Sequence, residues 1–141
     1  MSELSAHHVG LTVERLDRAV DFYRDVLGLD VVSRFSVGGE AFAAGVGVDG
    51  ASAEFAHLDA GGVRVELVSY DPEGDHVADS PVTVNQPGAA HVGLSTADLD
   101  AFYESLPDHV ETQSPPQRTA SGTKICFLRD PEGNLVEVLE P

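Results

Sequence analysis

The sequence predicts an α+β protein made of two similar modules in tandem. The first observation is a repeat, because His8-Val9-Gly10-Leu11-Thr12-Val13 near the start is matched by His91-Val92-Gly93-Leu94-Ser95 past the middle. The second is that each copy leads into a helix-like stretch and later into a strand that carries an acid, Glu66 or Glu137. The third is the alternation of apolar residues in the His-led segments, which is typical of strands. Such a repeat indicates two modules with the same order of elements.

The length favours one domain over two independent ones. At 141 residues and 42% hydrophobic, the chain fits a single domain in which two modules share a core, because neither module would bury enough surface alone. We predict module one at about 5–70, a Pro-, Asp- and Gly-rich linker at about 71–88, and module two at about 89–141. No apolar run approaches the roughly 20 residues of a membrane span, and the first five residues do not resemble a signal peptide. We therefore expect a cytoplasmic protein with no membrane partner.

Periodicity and turn residues predict the elements of each module. Module one is predicted to contain a strand at 8–13, an amphipathic helix at 16–27 ended by Gly28, a strand at 29–35, a loop or ragged hairpin end at 38–50, and strands at 53–59 and 63–70. Module two is predicted to contain a strand at 90–95, a short helix around 99–106, a weak strand near 110–112, and strands at 124–129 and 135–139. The turn Asp130-Pro131-Glu132-Gly133-Asn134 joins the last two strands.

The charge balance is strongly acidic. The chain has 24 Asp and Glu against 8 Lys and Arg, for a formal net charge of -16, which makes nucleic acid a poor partner. Only Lys124 is a lysine, and the acids are scattered instead of forming a tail. At molar salt the Debye length falls to about 3 Å, so self-repulsion is screened. We interpret this surface as halophilic, with an acidic protein of an ordinary cell as the alternative.

Cys126 is the only cysteine, which excludes an internal disulfide and a Cys-rich zinc site. Its position in the apolar strand at 124–128 favours a buried structural role over that of a nucleophile.

Four residues in matching module positions are candidate metal ligands: His8, Glu66, His91 and Glu137. A lone His or Glu in a strand is usually a satisfied or solvated polar residue, but both glutamates lie among apolar neighbours, where an uncompensated carboxylate is costly. If the two modules pack about a two-fold, these residues converge. Two imidazoles and two carboxylates suit a divalent ion and leave positions open for water or substrate.

The other histidines are weaker candidates. His7 lies on the opposite strand face from His8, and Ala90 takes its place in the second copy. His57, across the hairpin from the Glu66 strand, could line the cleft, but a structural role is favoured, so His57→Ala is expected to keep metal binding and turnover. Several arginines are candidate anion contacts without a specific spacing: Arg15, Arg24, Arg34, Arg64 and Arg118.

On the two His-led strands, the helix at 19–29 and the segment Phe127–Glu137, the chain resembles the vicinal oxygen chelate superfamily of glyoxalases, bleomycin-resistance proteins and extradiol dioxygenases. The resemblance covers nearly the whole chain. It implies paired βαβββ modules forming a curved mixed sheet around a metal cleft, and a homodimer. The four metal positions of the superfamily fall on His8, Glu66, His91 and Glu137.

Within the superfamily, the four-ligand pattern is similar to that of glyoxalase I, the lactoylglutathione lyase. This resemblance implies one divalent metal ion, nickel or zinc in the first place, with cobalt, manganese or ferrous iron as further candidates. It also implies a lyase or isomerase that moves a proton between adjacent carbons of a small carbonyl or thiol-adduct substrate. Glu137 is the implied base and Glu66 is its symmetric counterpart.

Two other functions stay open. A ferrous extradiol-type dioxygenase would use only His8, His91 and Glu137, so the additional Glu66 counts against it. A metal-free antibiotic-binding protein would generally lack the complete set of ligands. The substrate, the thiol, and whether the site lies within one chain or is shared across a dimer do not follow from the sequence.

Overall fold

The computed structural model describes residues 3–77 and 81–141 and shows an α+β protein with two compact units. One unit ends at His76 and the other begins at Val77. The predicted linker spans this boundary, and its positions 78–80 lie outside the described residues. Each unit contains one four-stranded mixed sheet, which confirms the prediction of two tandem modules.

The first unit contains four strands in the order β1-β4-β3-β2, with β1 parallel to β4 and the other pairs antiparallel. Its elements are β1 His8–Thr12, α1 Leu16–Asp21, a π-helical turn Phe22–Val26, β2 Asp30–Val37, α2 Glu40–Val46, β3 Ser52–Asp59 and β4 Arg64–Asp71.

The helix predicted at 16–27 is not α-helical throughout. After Asp21 it widens into the π-helical turn, in which the Leu27 amide donates to the Phe22 carbonyl at 3.1 Å. The wider turn adds a residue and lets both Phe22 and Tyr23 be buried, with their rings packed edge to face. Helical spacing alone does not reveal this, because Tyr23 keeps the i+3 and i+4 pattern while Phe22 departs from it.

The loop predicted at 38–50 is wrong, since α2 occupies Glu40–Val46. Three alanines favour the helix, and Gly47 ends it in the left-handed conformation at φ 72°. Phe42 on this helix packs against Phe55 and Val68 of the sheet. Partial burial of Phe42 thus adds to the local helix preference of the alanines, which the surrounding glycines obscure.

The second unit repeats the arrangement with the strand order β5-β8-β7-β6, in which β5 is parallel to β8. Its elements are β5 His91–Ser95, α3 Leu99–Ser105, β6 Gln117–Arg118, β7 Lys124–Arg129 and β8 Leu135–Glu140. The weak strand predicted near 110–112 forms only an isolated bridge between Thr112 and Leu128. The Pro115-Pro116 pair that follows has no amide donors, so regular pairing resumes at β6.

Each sheet has a helix-covered face and an opposite face that carries the candidate ligands. In the first unit, α1 packs on β3 and β4, where Leu58, Val65 and Leu67 are buried. Strand alternation then directs His57 and Glu66 to the opposite face. None of the helices among residues 3–77 and 81–141 is long and apolar enough to cross a membrane.

Candidate metal centre

Parallel pairing of the edge strand β1 with β4 brings the first two candidate ligands together. Gly10 lies opposite Glu66, so His8, two residues earlier, projects from the same face of the sheet. The Nε2 atom of His8 lies 3.5 Å from Oε1 of Glu66. A Cβ at Gly10 would lie 3.6 Å from Oε1 of Glu66, which is an ordinary van der Waals contact. We call His8 and Glu66 the first half-site.

The second unit builds the same pair from the same register. Gly93 lies opposite Glu137 in the β5–β8 pair, and His91 is again two residues earlier. The Nε2 atom of His91 lies 3.5 Å from Oε1 of Glu137, the distance found in the first half-site. We call His91 and Glu137 the second half-site.

The geometry of each half-site suits two ligands of one ion. With metal–ligand bonds of about 2.1 Å, neighbouring ligand atoms lie about 3.0 Å apart in an octahedral site and about 3.4 Å apart in a tetrahedral one. A separation of 3.5 Å therefore needs only a small adjustment. Within the described parts of the chain, no three His, Cys, Asp or Glu side chains form a ready-made metal site. Each half-site by itself supplies only two ligands, one imidazole and one carboxylate.

Both members of the first half-site, His8 and Glu66, contact a further polar side chain. Nε2 of His57 lies 2.7 Å from Oε2 of Glu66, and Nδ1 of His57 lies 3.3 Å from Nη1 of Arg64. His7 contacts the other ring nitrogen of His8, with 2.8 Å between the two Nδ1 atoms. Ligating histidines commonly bond a second group through the ring nitrogen that does not face the metal. The His7 contact leaves Nε2 of His8 facing Glu66.

The second half-site has apolar residues at each of these positions. Strand register places Phe127 opposite Glu137, where His57 stands opposite Glu66. It also places Leu135 opposite His91, where Arg64 stands opposite His8, and Ala90 precedes His91. The ring of Phe127 packs edge to face on His91, with centroids 5.2 Å apart. Across the described residues, the only polar contact of the Glu137 carboxylate is with His91.

A small cleft adjoins the second half-site. Its volume is about 90 Å³, and its walls include Phe127 and Leu135, the two apolar neighbours of His91. Arg129 also lines it, but its guanidinium donates to the carbonyls of Gly133 and Val82. The other walls are largely polar, and His91 and Glu137 are not among the residues that line the cleft.

His57 lies beside the first half-site and contacts one of its two members. It is only 5% exposed and contacts Glu66 directly, whereas the sequence favoured a structural role over one in lining the cleft. The signal was available in the hairpin, because residues equally distant from its turn face each other across antiparallel strands. With Asp59 paired to Arg64, His57 must pair with Glu66.

The arginines predicted as anion contacts and the single cysteine lie outside the half-sites. Among the arginines, Arg64 supports His57, Arg34 pairs with Asp17 at 2.7 Å, and Arg24 binds Asp25. The hydrogen bond to Arg24 lowers the pKa of Asp25. Cys126 is buried, as predicted.

Comparison with known proteins identifies the family. Residues 5–138 match the model of the Glyoxalase/Bleomycin resistance protein/Dioxygenase superfamily. No match was found among curated proteins. Among solved structures, a glyoxalase family protein from Bacillus cereus is 25% identical, with a TM-score of 0.86 over 99% of this chain and 95% of that chain.

Two enzymes with the same fold are more distant in sequence. The trypanothione-dependent glyoxalase I of Leishmania major is 19% identical, with a TM-score of 0.67 over 98% of this chain and 87% of that chain. The lactoylglutathione lyase of Agrobacterium tumefaciens is 22% identical, with a TM-score of 0.62 over 99% of this chain and 96% of that chain. The family match extends from before β1 into β8 and includes both half-sites, so this chain belongs to the Glyoxalase/Bleomycin resistance protein/Dioxygenase superfamily.

Proposed function

We propose that this protein is a divalent-metal-dependent lyase or isomerase of the glyoxalase I type. The observation that carries the proposal is the pair of matched half-sites, each with a His–Glu separation of 3.5 Å on the open face of its sheet. Unrelated solvent-exposed residues would not be expected to form the same His–Glu pair at the same strand register in both units. Membership of a superfamily that includes glyoxalases supports the assignment.

His8, Glu66, His91 and Glu137 would hold the ion, with two nitrogen and two oxygen donors. This donor set of intermediate hardness suits nickel or zinc, and cobalt, manganese or ferrous iron are also compatible with it. When bound, the ion would act as a Lewis acid toward the substrate oxygens. The half-sites supply no thiolate, since the single cysteine lies on another strand and is buried.

The two carboxylates differ in a way that favours Glu137 as the base. Both oxygens of Glu66 have partners, Oε1 with His8 and Oε2 with His57. Glu137 contacts only His91 within the described residues, so its second oxygen is available to accept a proton. A carboxylate in this position can remove a proton from the carbon beside a carbonyl and return it to the neighbouring carbon.

The proposed substrate is a small carbonyl compound or its thiol adduct. The cleft of about 90 Å³ next to Phe127 and Leu135 has room for a short carbon chain, and polar side chains such as Thr112 and Gln113 also line it. The resemblance of the four-ligand pattern to that of glyoxalase I makes a thiol hemithioacetal the first substrate to test.

Elemental analysis of the purified protein, run beside His91→Ala, is the first test. We expect about one nickel, zinc, cobalt or manganese ion per four-ligand set, lost in the variant. Tightly bound iron would favour the dioxygenase instead. Absence of metal from both proteins after reconstitution would contradict the proposal and favour a metal-free binding protein.

Turnover is tested with a 2-oxoaldehyde and a panel of low-molecular-weight thiols. We expect isomerisation of the hemithioacetal to a 2-hydroxyacyl thioester with at least one thiol. Glu137→Gln should lower kcat by about 10²–10⁴-fold, because the amide cannot take the proton. Metal content of the same variant is measured in parallel, and unchanged turnover in a metal-loaded Glu137→Gln would show that another group is the base.

A further inference from the structure

The face of the sheet that carries the first half-site includes a buried histidine that the proposed chemistry does not use. The side chain of His57 is 7% exposed, and that of Glu66 is 14% exposed. Their contact of 2.7 Å is shorter than the contact of Glu66 with His8. A charge-assisted hydrogen bond with little access to water holds its acceptor firmly in place.

The neighbouring arginine fixes the orientation of this hydrogen bond. A guanidinium has only donors, so Arg64 must donate to Nδ1 of His57, which therefore carries no proton. In the neutral ring the proton then lies on Nε2 and is donated to Oε2 of Glu66. His57 thus uses both ring nitrogens to link Arg64 to the carboxylate. Its Nε2 is a donor here and is not a free metal ligand.

We propose that His57 is a positioning residue that fixes Glu66 as a metal ligand. The inference rests on the proposed metal-dependent function and extends it to a difference between the two half-sites. His57 holds Oε2 of Glu66 so that Oε1 stays directed toward His8. Phe127, at the matching position of the second unit, donates nothing to Glu137. One carboxylate is therefore held as a ligand, while the other is free to move a proton.

The test measures Co²⁺ binding by the full-length apoprotein, by titration and from the visible absorption of the bound ion. His57→Phe copies the Phe127 arrangement and should weaken Co²⁺ binding by about 10–100-fold, the usual effect of losing an outer partner of a ligand. The Co²⁺ spectrum should also change, because Glu66 loses its fixed orientation. His57→Gln keeps an N–H donor at a similar distance and should restore binding close to that of the parent protein.

Two controls separate positioning from folding. His109→Phe makes the same substitution at an exposed histidine in the turn after α3 and should leave Co²⁺ binding unchanged. Thermal unfolding of each apoprotein reports stability without metal, and His57→Gln keeps the test informative if His57→Phe does not fold.

The outcomes distinguish this inference from the proposed function. If the parent binds Co²⁺ and His57→Phe binds it equally tightly, His57 is not a positioning residue and the metal site still stands. If His57→Gln folds but is as weak as His57→Phe, the hydrogen bond is not the cause, and the inference is wrong. If the parent itself binds no Co²⁺, the proposed function fails and the inference fails with it.

Discussion

The single cysteine illustrates how surroundings make a reactive side chain inert. Cys126 is 1% exposed, and its Sγ lies 3.5 Å from the carbonyl oxygen of Ser114. Burial raises the pKa of the thiol, because the thiolate would lose its hydration. The thiolate is the reactive species, so a raised pKa leaves less of it at a given pH.

We expect native Cys126 to resist iodoacetamide at pH 8 under conditions that fully label free cysteine. The same residue should react readily once the protein is unfolded in guanidinium chloride. Mass spectrometry of the intact chain measures both reactions. Rapid labelling of the native protein would show that the β7 strand opens easily or that the thiol is exposed.

Sequence patterns singled out the four candidate ligands but not the side chains that contact them. His8, Glu66, His91 and Glu137 stood out because each has a counterpart at the matching position of the other module, and the structure joins them in two pairs. The link from Arg64 through His57 to Glu66 has no counterpart in the second module, so the repeat could not reveal it. Whether the four ligands share one ion stays a prediction for the metal analysis.

At the level of elements, two carboxylates accept hydrogen bonds from backbone amides in the first turn of α3. The Asp98 side chain accepts from the amide of Ala101 at 3.0 Å, and Glu140 accepts from the amide of Leu99 at 2.9 Å. Both satisfy amides that lack partners in the first turn of a helix. Because Glu140 lies on β8, this contact also ties the helix to the strand that carries Glu137.

Asp98→Ala should lower the free energy of unfolding by about 1 kcal/mol, because the amide of Ala101 loses its acceptor. Urea unfolding of the variant and the parent measures the difference. Asp108→Ala, which removes the same charge from an exposed turn, is the matched control and should have a smaller effect. Equal losses in the two variants would attribute the change to charge instead of capping.

Strands and helices were predicted correctly where a single sequence pattern is clear. The hairpins of β3 with β4 and of β7 with β8 combine alternating strands with clear turn residues. In the second turn, Asp130 accepts hydrogen bonds from the amides of Glu132 and Asn134. The short α2 was missed because glycines surround it and its reason to form is the contact of Phe42 with residues far along the chain. Such tertiary contacts are invisible to local propensity.

At the scale of the whole molecule, the surface carries a large excess of negative charge. The formal net charge is -16, and within residues 3–77 and 81–141 the only buried acid is Asp130. Ion pairs offset part of the repulsion locally, such as Lys124 with Asp100 at 2.6 Å. With only eight basic residues, most of the acids repel one another in dilute buffer.

We therefore expect the protein to become more stable from dilute buffer to molar potassium chloride. The Debye length falls from about 10 Å at 0.1 M to about 3 Å at 1 M, which screens the repulsion between exposed acids. Thermal unfolding across this range measures the effect. A midpoint that does not change with salt would contradict the interpretation of the acidic surface as a salt adaptation.

The strand order also sets a sequence of events during folding. His57 and Glu66 lie 9 residues apart on one hairpin, whereas His8 is 58 positions from Glu66 and must reach it through a parallel edge strand. Closing the longer loop costs about 1.7 kcal/mol more in chain entropy. We therefore expect the hairpin, and with it the contact of Glu66 with His57, to form before β1 docks. In that order of events, His57 would be the first polar side chain to contact the Glu66 carboxylate.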